Sequence, residues 1–118
     1  MSEISISCYG ISQESNVEAG EIRRLEIEPV IPYSSDKLPY PIDIYYQLFI
    51  QEGQEKIVVI DWQKVNRGSC NYFITLDTSW WIPNMYYIDI KYEYRGETRK
   101  ILDPIKFRLI NKIINPSR

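Results

Sequence analysis

Four aspartates, Asp61, Asp77, Asp89 and Asp103, stand near the ends of alternating segments and are the residues best suited to chemistry. Two carboxylates at the right separation can hydrolyse a glycoside, one as acid and the other as base or nucleophile. Their neighbours offer plainer roles. Asp77 would cap the turn in "LDTS", Asp89 lies on the polar side of its segment, and Asp103 precedes Pro104 in a break. The chain has no histidine, which removes Ser-His-Asp and Cys-His arrangements and histidine metal sites together. Cys8 and Cys70 have no CxxC spacing and cannot build a cysteine-rich zinc site; both read as buried, free thiols. No GxGxxG or GxxxxGK is present to cradle a nucleotide. "YSSDK" supplies one acid, too few for calcium. "KYEYRGETRK" interleaves bases with aromatics as a single-strand binder would, but Glu93 and Glu97 interrupt it. The expectation is a protein without catalysis, cofactor, metal or nucleic acid. What remains is the contact chemistry of its aromatics, with Tyr33, Tyr40 and Trp80 as candidate partner-binding residues.

The elements that must position these side chains are strands. Among 118 residues there are twenty Ile, ten Tyr and three Trp against six Leu and a single Ala, Ala19, a balance that favours strands over helices. Alternation is clear in several segments. Ile4, Ile6 and Cys8 share a face, as do Leu25 and Ile27, and Ile42, Ile44, Tyr46, Leu48 and Ile50. Tyr72, Ile74 and Leu76 point one way, as do Tyr86, Ile88, Ile90, Tyr92 and Tyr94, and then Ile105, Phe107 and Leu109. "KIVVIDW" is a shorter and almost wholly apolar run. Turns are expected at Glu52-Gly53, "NRGS" and Arg95-Gly96-Glu97, and at most one or two helical turns near 78–85. The proline-rich segment 33–41 is a stiff loop. No helical crossover separates the strands, so the sheets should be antiparallel. One-sided alternation implies two sheets packed face to face. The prediction is one domain, residues 1–118, an immunoglobulin-like antiparallel β-sandwich of about seven strands with a frayed tail at 111–118.

"IPNMYYIDIKY" resembles the entry to the sixth strand of immunoglobulin-like and fibronectin type III-like modules, with Pro83-Asn84 where those families often have Pro-Gly. The resemblance implies that Tyr86 is a structural corner, its hydroxyl bonded back to the backbone. Trp81 would pack beneath it and Trp80 would turn toward solvent. The cysteine pair and third-strand tryptophan of antibody domains are missing; Ile88 stands where the second cysteine would be. Among such modules the compact, tyrosine-rich form looks most like small structural proteins of tailed-phage virions.

That resemblance implies a non-enzymatic virion component, such as an auxiliary capsid-decoration protein that binds major capsid or other virion proteins. No signal segment or membrane span is visible, so the expected location is the virion, after synthesis in the host cytoplasm. The net charge of −2 is uneven: residues 61–118 hold ten bases and six acids, most of them alternating with apolar residues as on a solvated strand face. Tyr33, Tyr40, Tyr45, Phe49, Phe73 and Tyr87 fall on loops or outward faces and would enrich the surface in aromatic area. A carbohydrate-binding module or adhesin using Trp80 and Tyr40 is the alternative. A third is self-assembly through an edge strand, including self-association on the particle.

Overall fold

The computed structural model describes residues 4–11, 15–30, 42–68, 71–101 and 103–111. The chain is all-β: two sheets pack face to face as a β-sandwich, and no helix occurs among the described residues. The strands are β1 (Ser5–Tyr9), β2 (Ser15–Glu18), β3 (Ile22–Val30), β4 (Ile42–Glu52), β5 (Glu55–Lys64), β6 (Asn66–Arg67), β7 (Tyr72–Asp77), β8 (Asn84–Tyr94), β9 (Glu97–Lys100) and β10 (Ile105–Ile110).

The smaller sheet runs β1-β3-β7-β6 and the larger runs β2-β10-β8-β4-β5. β9 and β10 lie end to end along one side of β8. β10 pairs its first half and β9 its second, and the break between them contains Asp103 and Pro104. Every pairing is antiparallel except one: β2 runs parallel to β10, with Ser15 opposite Phe107 and Glu18 opposite Ile110. A parallel neighbour is possible without a helical crossover because the first part of the chain changes sheets. It leaves β1 at Gly10 and joins the far edge of the other sheet as β2. Gly10 has φ 106, and a Cβ there would lie 2.2 Å from the Arg24 carbonyl oxygen, so only glycine fits this passage.

The count exceeds seven because β2, β6 and β9 are short or polar and leave no apolar alternation to read. The segment near 78–85 is not helical. Ser79 and Trp80 form a single turn, closed by the Trp81 N–H donating to the Thr78 carbonyl at 3.1 Å, and β8 has begun by Asn84.

The inward faces are those that alternation marks. Leu25, Ile27, Ile44, Leu48, Ile74, Leu76, Ile88, Ile90, Phe107 and Leu109 are fully buried between the sheets. Ile4, Ile6 and Cys8 pack against this core from β1. Burial raises the Cys8 thiol to about 11, and the cysteine is free. Cys70 lies outside the described residues.

Candidate interaction surface

Register places the loops at two ends. Val30 and Ile42, which bound the segment 31–41, lie at the end where β8 finishes, since Ile42 is opposite Tyr94. Ile22 is opposite Asp77, so the β7–β8 loop lies at the other end. Tyr33 and Tyr40 fall outside the described residues. The structure therefore separates the boundaries of their segment from Trp80, and it leaves two residues the sequence did not single out, Ile22 and Ile82, exposed at the same end as Trp80.

The β7–β8 loop is fixed along its length. At its start, the Asp77 carboxylate accepts from the Ser79 N–H at 3.1 Å and the Ser79 hydroxyl at 2.6 Å. These bonds stabilise the ionised form and hold the carboxyl below its ordinary value. Next, the buried Thr78 ties the loop to the β2–β3 turn. Its hydroxyl donates to the Glu21 carbonyl at 2.7 Å and accepts from the Gly20 N–H at 3.1 Å, while its own N–H donates to Glu21 at 3.2 Å. Finally, the Tyr86 hydroxyl, on the first inward position of β8, donates to the Ile82 carbonyl at 2.5 Å.

Trp81 turns inward over Tyr86, with ring centroids 5.1 Å apart, and reaches Phe107 at 6.4 Å; Tyr86 and Phe107 stack at 5.7 Å. Once Trp81 is turned in, its neighbours face out. Trp80 is 93% exposed and Ile82 76%, and Ile22, opposite Asp77 at the same end of the sandwich, is 65% exposed. Glu21 and Asp77 flank this apolar tip, and Arg23 pairs with Glu21 at 3.6 Å. An open groove of about 450 Å³ lies at the start of β8, lined by Pro83, Asn84, Met85 and residues Arg108 to Asn111. The tip thus combines rigid backbone, exposed aromatic and aliphatic area, and an acidic rim. Apolar area of this kind, carried on a hydrogen-bonded loop, can be buried against another molecule.

The outward aromatics are a correction. Tyr45, Phe73 and Tyr87 are only partly exposed, and Phe49 is buried at 4% although it lies on the outer side of the larger sheet. Basic side chains cover them: Arg24 lies 3.8 Å over Phe73, Lys56 4.4 Å over Phe49, and Lys91 covers both Tyr45 and Trp62. Phe49 and Tyr87 also stack on each other at 5.2 Å. Long basic chains lay their stems along apolar rings and keep their charge in water.

Asp89 sits in the middle of this face and is buried, not solvated. Lys56 and Lys100 each reach its carboxylate at 3.3 Å. Opposite it in register, Gln47 is also buried and donates to Asp61 at 3.1 Å; its Oε1 has no partner among the described residues. Asp61 is held low by the Trp62 N–H and by Gln47. Asp77 ends β7 in the smaller sheet and exposed Asp103 stands in the break between β9 and β10; of the four aspartates, Asp61 and Asp89 share this row, the one bonded to Gln47 and the other opposite it. Among the described residues no three metal-ligating side chains cluster. No protein-family model matches the chain, and no curated protein matches it.

Proposed function

We propose that this is a non-enzymatic structural protein that binds another protein through the Trp80 end, and that its place is on a bacteriophage particle as a decorating or joining module. The observation that carries the docking role is Trp80, almost wholly exposed on a loop that hydrogen bonds hold in place. A large aromatic on fixed backbone loses little entropy when it docks, so its contact converts well into affinity. The strand order supports the immunoglobulin-like reading: β1-β3-β7-β6 against β10-β8-β4-β5 follows the ABED and GFCC′ order of those sandwiches. The particle assignment rests on the resemblance of the tyrosine-rich sandwich to small virion proteins. The acidic rim of Glu21 and Asp77 favours a basic partner surface over an anionic membrane.

The test is the double substitution Trp80→Ala with Ile82→Ser, with the fold checked by circular dichroism and occupancy measured on purified particles. Anchors of this kind are worth about 2 kcal/mol or more each, so occupancy should fall sharply. Undiminished occupancy would move the interface away from this end. Failure to find the unaltered protein on any particle would remove the virion reading. The sugar-binding alternative uses the same tryptophan: it requires saccharides to quench the Trp80 fluorescence and the variant to lose that response.

A further inference from the structure

We infer that the protein forms a twofold dimer in which β5 pairs with β5 of a second copy, antiparallel, about a point between Val58 and Val59. The proposal is independent of the Trp80 end and rests on a different part of the molecule. β5 is ten residues long and is the outermost strand of the larger sheet, with β4 on one side and no strand of the described residues on the other. An edge of that length is a template for another strand.

The occupant is indicated by the strand itself, which reads nearly the same in both directions. In "KIVVID", residues 56–61, reversal sets Val58 against Val59, Ile57 against Ile60, and Lys56 against Asp61. The identical residues fall together, and the only unlike pair is of opposite charge.

In a regular strand this pairing would fail. Residues three apart point to opposite faces, whereas paired residues of an antiparallel ladder share a face. The register of β5 removes the conflict. Ile57 is opposite Ile50, Val58 opposite Phe49, and Ile60 opposite Leu48, so Val59 is an inserted residue, a β-bulge; a second shift follows between Ile60 and Gln63, which is opposite Tyr46, so the match is confined to residues 56–61. Leu48 and Ile50 both face the core side, and their partners Ile60 and Ile57 do too. The exposures follow the same symmetry: Ile57 and Ile60 are half-buried, while Val58 and Val59 are exposed at 44% and 45%. A bulge commonly blunts an edge. Here it is what lets the two halves of the strand match.

Charge fits as well. Lys56 and Asp61 both lie on the outer face, where Lys56 meets Asp89 and Asp61 meets Gln47. Asp89 is shared between Lys56 and Lys100, two cations for one carboxylate, which leaves positive charge for an arriving acid. Asp61 is exposed, and the Trp62 N–H and Gln47 hold it in its ionised form. The dimer would set each Lys56 beside Asp61 of the other copy, twice by symmetry. It would also consume the long edge of both copies, so the assembly closes at two and does not grow into a fibre.

Sedimentation equilibrium across the micromolar to sub-millimolar range tests this. The unaltered protein should dimerise. K56D and D61K should each weaken the dimer about tenfold or more, because each reversal turns two attractive pairs into two repulsive ones. The double variant K56D with D61K should return to within about threefold of the unaltered protein, since the pairs are restored in reverse. Lys56 also acts on Asp61 of its own chain, so melting temperatures of the monomeric protein are read beside the dimer constants: recovery of the dimer constant without recovery of the monomer's melting temperature assigns the rescue to the interface. Val59→Lys should leave a monomer whose melting temperature matches that of the unaltered protein diluted below its dimer dissociation constant. An unaltered protein that sediments as a monomer throughout, or a double variant no tighter than its parents, would overturn the proposal.

Discussion

Tyr86 and Tyr87 are neighbours with opposite duties, one serving through its hydroxyl and the other through its ring. The Tyr86 hydroxyl is spent on the Ile82 carbonyl, and burial raises it above its ordinary value. Tyr87 contributes its ring, stacked on Phe49. Tyr86→Phe should therefore cost about 1 kcal/mol or somewhat more, while Tyr87→Phe should cost little, as read from denaturant midpoints. Cys8 yields a second prediction. Its thiol is raised from 9.0 to about 11, so the folded state holds a proton that the unfolded state releases first. A raised group contributes stability that is full below the unfolded value and is lost as pH climbs through the folded one. Between about pH 9 and 11 the unaltered protein should lose about 1–2 kcal/mol more than Cys8→Ala, allowing for partial exposure. Thiol labelling of native protein at neutral pH should leave Cys8 unmodified.

Two joints between elements are open to direct test. Gly10 is where the first strand leaves one sheet for the other, against the Arg24 carbonyl. Gly10→Ala should cost roughly 3 kcal/mol or more, since backbone on both sides must move. Thr78→Val keeps the shape but removes a hydroxyl that bridges Gly20 and Glu21, so thermal unfolding should show a loss of about 1–3 kcal/mol. The long strands were legible because their inward residues alternate without interruption: β3, β4, β8 and β10 bury the faces that parity assigns them. β2 offers only Val17, and β9, "ETRK", offers no apolar residue, so neither could be read before its neighbours were known. "KIVVIDW" offered no alternation from which to place it. An apolar run usually means a strand covered on both sides, but here it forms an edge whose bulges break the parity.

At the scale of the whole molecule, the two-sheet architecture was visible in the sequence, while the surface was only half visible. Trp81 inward and Trp80 outward followed from the face of Tyr86, because a loop so short leaves little freedom. Ile22 and Ile82 could not be found that way, since an exposed apolar residue breaks no pattern. The burial of Asp89 and Phe49 depends on lysines brought from β5 and β9, a convergence that separate segments do not announce. A far-ultraviolet circular dichroism spectrum should show a sheet minimum and no helical double minimum; helix above roughly 20% would contradict the fold. The change of sheets at Gly10 has a mechanical result. β1 starts at one end of the sandwich and β10 finishes at the other, and between them β2 lies parallel to β10. Tension applied between Ser5 and Ile110 would slide β2 along β10 and β1 along β3. Every bond in those ladders is then loaded together in shear, whereas a hairpin pulled open at its free ends yields one bond at a time. The sandwich should stretch little when pulled along its length.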